Sequence, residues 1–70
     1  MITISKNENT KIVNGNRYIL VELRGLSTDE KPIMYDEKID SYIDNGSIFI
    51  EIDTGKFYMF DLENTQWKEI

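Results

Sequence analysis

Seventy residues, thirteen acidic and eight basic, with no cysteine and no histidine, bound what this chain can be. A chain of this length buries only about 60% of its unfolded surface, so it makes one small domain, 1–70, in which the gain from burial and the cost of ordering nearly cancel. The absent cysteine and histidine exclude a disulfide, an ordinary zinc site, a cysteine–histidine nucleophile and a histidine base, and the net charge of −5 argues against a nucleic-acid partner.

From Met1 to Gly25 the pattern is that of strands. Asn14-Gly15 is a hairpin-turn dipeptide between Lys11-Ile12-Val13 and a run from Arg17 to Arg24. Within that run Ile19, Val21 and Leu23 share one face, and Tyr18, Leu20, Glu22 and Arg24 share the other, so one side is buried and the other mixed. The stretch from Leu26 to Asn45 is acidic and irregular. Pro32 suits a first helical turn, and Tyr35, Ile39, Tyr42 and Ile43 recur at helical spacing, so 32–44 is either one short helix or an ordered loop whose tyrosines pack on a sheet.

The last stretch alternates again. Ile48, Ile50 and Ile52 interleave with Phe49 and Glu51, and Asp53-Thr54-Gly55 separates them from Lys56-Phe57-Tyr58-Met59-Phe60. A three-residue loop with Gly55 in the left-handed conformation sets Ile50 opposite Tyr58 and Ile48 opposite Phe60. That register makes Ile48, Ile50, Ile52, Tyr58 and Phe60 the core face and leaves Phe49, Phe57 and Met59, interrupted by Glu51, on the other. A turn around Glu63-Asn64-Thr65 returns Gln66-Trp67-Lys68-Glu69-Ile70. The expected fold is mainly β: a small antiparallel sheet or sandwich with a C-terminal three-stranded meander.

Chemical motifs dissolve into turn chemistry. Ile52-Asp53-Thr54-Gly55 matches the local sequence around the aspartic-protease aspartate, but Lys56 stands where those enzymes carry a small residue, and Asp-x-Gly between alternating strands is an ordinary hairpin turn. Gly55-Lys56 lacks phosphate-loop spacing, and neither Gly46 nor Gly55 sits in a calcium-loop pattern. Asn45-Gly46-Ser47 reads as a turn, and the carboxylates Asp36, Glu37, Asp40 and Asp44 as a solvated face. No catalytic residue, cofactor or metal is expected. Apolar runs such as Phe57-Tyr58-Met59-Phe60 fall far short of the ~20 residues of a membrane span, and Lys6 and Glu8 interrupt the N-terminal stretch before a signal-peptide core develops, so no membrane partner is expected.

The pattern Asn45-Gly46-Ser47-x-Phe49-x-Glu51-x-Asp53-Thr54-Gly55-Lys56-x-Tyr58-x-Phe60-Asp61-x-Glu63, with Trp67 after it and Gly25-Leu26-Ser27-Thr28-Asp29-x-Lys31-Pro32 before it, resembles small proteins of tailed phages and prophages of Gram-positive bacteria. The longer 33–44 segment departs from that pattern. The resemblance implies a non-enzymatic virion-structural or accessory role, made in the host cytoplasm and carried into the virion if structural, with other phage structural proteins as partners. The residue reading adds a homo-oligomer whose interface is Phe49, Glu51, Phe57 and Met59, because a core this marginal gains by burying that face against a second copy. The competing expectation is a carbohydrate- or ligand-binding module that uses Tyr58 and Trp67 as a stacking platform. A weaker third is an acidic inhibitor that presents Asp29 to Asp44 to a host protein.

Overall fold

Residues 2–70 are described by a computed structural model in which every regular element is a β-strand. In chain order these are β1 Thr3–Val13, β2 Asn16–Gly25, β3 Tyr35–Asp36, β4 Ser41–Ile43, β5 Ile48–Glu51, β6 Phe57–Asp61 and β7 Gln66–Glu69. All seven belong to one mixed sheet, and its accessible surface of 4715 Å² is close to the roughly 4,600 Å² expected for a folded chain of this mass.

The hairpin β1–β2 closes through Asn14-Gly15, both at positive φ, with Val13 paired to Asn16. Asn-Gly adopts this conformation with little strain, which is why the dipeptide sets the register. Two irregularities, at Ser5 between Ile4 and Lys6 and at Thr10 between Asn9 and Lys11, bend β1 along its partner. On β2, Ile19, Val21 and Leu23 are buried, as their alternation predicts.

One edge of β2 is taken by β1. The other is shared by β4, parallel against Tyr18 and Ile19, and β5, parallel against the run from Glu22 to Gly25. Residues 41–51 therefore lie beside β2 as a single strand interrupted at 44–47. Where the strand leaves the ladder, the Ser47 hydroxyl takes its place: Oγ accepts from Val21 N at 3.1 Å and donates to Asp44 O at 2.9 Å. The displaced backbone turns to β6, with Gly46 N on Phe60 O and Phe60 N on Ser47 O. From this break β3 pairs antiparallel with β4 on one side, and β5, β6 and β7 form the antiparallel meander on the other.

One of the two alternatives for 32–44 and the register expected for the meander are corrected here. No helix forms at 32–44: Tyr35 and Tyr42 are cross-strand partners in a hairpin whose turn, 37–40, is held by Lys38 N on Asp36 Oδ1 at 2.8 Å. The helical spacing is equally satisfied by this hairpin, which places Tyr42 and Tyr35 in a ring row with Tyr18 at centroid distances of 5.2 and 5.6 Å, while Ile39 and Ile43 join the core. In the meander, the register differs by one residue from the expected one. Phe49 faces Tyr58, Ile48 faces Met59 and Ile50 faces Phe57. The loop spans four residues, 52–55, because Glu51 N bonds Lys56 O and Gly55, at φ 74, donates back to Glu51 O. A one-residue shift exchanges the two faces of β5, while β6 keeps Tyr58 and Phe60 inward as expected.

The core comprises Ile19, Val21, Leu23, Ile43, Phe49 and Phe60, with Ile2, Ile4, Ile39, Tyr58, Leu62 and Trp67 partly buried against it. The crossover 26–40, which joins β2 to β4, contributes to the cover over this side: Ile39 packs on the core and Trp67 Nε1 donates to Pro32 O at 2.8 Å.

Candidate functional site

The exchange of faces places a carboxylate in the interior. Glu51 is 4% exposed, and the crossover supplies its counterion, with Lys31 Nζ 2.7 Å from Oε2. The same ammonium lies 4.8 Å from the Phe49 ring centroid and 4.6 Å from that of Tyr58. Glu51 Oε1 accepts from Thr54 Oγ1 at 2.7 Å. The Lys31 hydrogen bond, with help from Thr54 and against the penalty of burial, holds the Glu51 carboxyl below the usual range. A buried charge needs such partners: Glu51 has a cation and a hydroxyl, and the cation in turn lies over two aromatic rings.

This arrangement places the residues of the two sequence-based sites. Phe49 is fully buried and Glu51 is paired inward, so neither shares a surface with Phe57 and Met59, and the expected four-residue interface is divided between the two sides of the sheet. The expected platform of Tyr58 and Trp67 also lies on the inner side. Tyr58 is covered by Lys31, and Trp67 packs 6.0 Å from Phe49 and 5.0 Å from Phe60 between ring centroids while bonding Pro32. The chain's own crossover occupies the face a ligand would stack on.

Asp53 is likewise engaged within the fold. Its carboxylate accepts from Ser27 Oγ at 2.6 Å and Ser27 N at 2.9 Å, tying the loop 52–55 to the start of the crossover, and these bonds lower its pKa against the opposing effect of burial. Asp44 is 8% exposed at the strand break. Burial raises its pKa, but hydrogen bonds from Thr10 and from Asn45 N, with Lys11 Nζ at 3.6 Å, bring the net direction below the ordinary value. Among the described residues no group of three or more acids could hold a metal ion, and no helix is long and apolar enough to cross a membrane.

The outer side carries the other feature. Cross-strand partners share a face, and two rows run across β2, β5, β6 and β7: Glu22, Ile48, Met59, Lys68, and next to it Arg24, Ile50, Phe57, Ile70. Phe57 is 49% and Met59 45% exposed, and Ile48 and Ile50 are half-buried between them. Toward β1 the outer side becomes polar, with Lys6 opposite Glu22 and Glu8 opposite Leu20. The aliphatic patch lies on the meander, with Leu20 and the Tyr18, Tyr42 and Tyr35 row farther along the same side, and no segment of the described chain lies over Phe57 and Met59 closely enough to bury them.

The chain matches no protein-family model, no curated protein and no solved structure.

Of the patch, sequence reasoning found Phe57 and Met59 and missed Ile48 and Ile50, which it assigned to the core. The signal that could have found them is Gly25. A Cβ there would lie 2.9 Å from Phe49 Cζ, so a glycine ends β2 where a ring must enter from the neighbouring strand.

Proposed function

We propose that this protein is a non-enzymatic assembly module, a phage-derived structural or accessory protein that works by self-association and by docking to a larger virion protein. The observation that carries the assembly reading is the outer face of the meander, where Ile48, Ile50, Phe57 and Met59 form an apolar quartet that no other part of the described chain covers. Scattered exposed apolar residues are ordinary, but contiguous ones on a flat sheet face mark a binding surface. The β1 edge is a poorer docking element, since β1 is broken by two irregularities and carries Lys6 and Lys11. The phage origin rests on the sequence resemblance of 45–63 and 25–32.

The test is sedimentation across dilution together with thermal melts. Association that strengthens with concentration, raises the melting temperature and is lost in Phe57→Ser supports the reading. A concentration-independent monomer whose melting temperature ignores both dilution and Phe57→Ser overturns self-association. Co-purification with a head or tail protein, lost in the same variant, supports the docking role.

A further inference from the structure

The charges that border the apolar quartet are arranged to complement themselves. Along the first outer row, Glu22 on β2 and Lys68 on β7 stand one strand beyond Ile48 and Met59, at equal distances from the line between β5 and β6. A two-fold axis along that line, parallel to the strands, lays β5 of one copy over β6 of the other and β2 over β7. Ile48 then meets Met59 of the partner subunit, Ile50 meets the partner's Phe57, and Glu22 meets the partner's Lys68 twice in each pair. In the second row Arg24 lies over the partner's Ile70, an apolar contact its stem can make while the guanidinium reaches the rim. Lys68 is well placed for this. Its side chain is more than half exposed, and its present partner is Asp61, at 3.4 Å on the same face. Glu22 forms no ion pair among the described residues.

The geometry points to a second copy of this chain as the occupant of the outer face, packed sheet to sheet about a two-fold axis between β5 and β6, with the apolar quartets at the centre and two Glu22–Lys68 pairs at the rim. This rests on the self-association proposed above and specifies its form. The aligned packing it requires is the common way for two sheets to meet, with strands within about 30° of each other. An isologous contact of this kind closes on itself, so the assembly stops at two.

The experiment is sedimentation of the full chain and of the variants Glu22→Lys and Lys68→Glu, alone and mixed, with circular dichroism and melting curves to show that each is folded. Either variant alone places like charges in contact twice, and the dimer should weaken roughly tenfold or more. Mixed in equal amounts, the two restore both attractive pairs, so a heterodimer about as strong as the wild-type dimer is expected. Phe57→Ser should abolish association in every combination. A wild-type dimer that Phe57→Ser disrupts but neither charge reversal affects would overturn this two-fold arrangement while leaving self-association through the face intact. The same follows if the reversals weaken it and mixing fails to restore it. A wild-type monomer at every dilution would overturn both.

Discussion

The hairpin β1–β2 and the meander β5–β7 do the same work on the inner side of the sheet and opposite work on the outer side. Both send alternate side chains into one core, from Ile19, Val21 and Leu23 in the first to Phe49 and Phe60 in the second. Outward, the hairpin shows Lys6, Glu8, Glu22 and Arg24, whereas the meander shows Ile48, Ile50, Phe57 and Met59. The meander moreover carries its one deeply buried carboxylate inward, where a lysine from the crossover meets it. Which side of a strand is core is therefore decided by what the rest of the chain can supply as a partner, not by counting apolar side chains on each face.

Substitutions on the two sides of the meander break this comparison most directly. Phe49→Ala is expected to destabilise by about 3–5 kcal/mol, most of what a 70-residue domain possesses, because the ring is fully buried; urea titration at fixed protein concentration measures it. Gly25→Ala pushes a methyl group against the same ring, and should cost about 1–3 kcal/mol in that titration. Ser47→Ala leaves the buried Val21 N–H without its acceptor and should cost about 1–3 kcal/mol, with faster amide exchange at Val21 as the local signature.

Acid sharpens the comparison through the carboxylates that the fold engages. The carboxyls of Glu51, Asp44, Asp53 and Asp61 are all held below their ordinary values, so the stability they contribute is present above the unfolded carboxylate range, about 4, and is lost as pH falls through the depressed folded values. Melting temperature should stay level from pH 7 to about 5 and decline below about 4. Glu51→Gln should melt lower at neutral pH, with a shallower acid decline, since Lys31 then faces a neutral partner. The smallest effect is expected from Phe57→Ser, on the outer side of the neighbouring strand. At dilutions where the chain is monomeric its stability should change by no more than about 0.5 kcal/mol, and a loss comparable to that of Phe49→Ala would show that the two sides are not distinct.

The first hairpin was legible in the sequence because Asn14-Gly15 admits one turn and the alternation beside it has one apolar face. The meander was legible as three strands with turns at 53–55 and 63–65, each a residue shorter than the turns the chain makes at 52–55 and 62–65, but its register was not. Asp53-Thr54-Gly55 fits a three-residue loop and a four-residue loop that begins at Ile52 equally well, and both sides of β5 and β6 are apolar enough to serve as core. What chooses between them is distant in the chain: Lys31 for Glu51, and Gly25 for Phe49. The β4–β2 and β5–β2 pairings are nonlocal in the same way, and no local pattern announces a parallel strand that breaks midway.

That broken strand also sets the order of events when the chain folds. The hairpin β1–β2 needs only its own turn, but the free edge of β2 must wait for Tyr42 to reach Tyr18 and Ile48 to reach Glu22, across the whole crossover. Closing that loop costs entropy before any contact repays it, so the slow step is the arrival of 41–51 at β2, with milliseconds to seconds as the expected scale for such nonlocal pairing. Until then the chain exposes β2 as a bare edge with its apolar face uncovered.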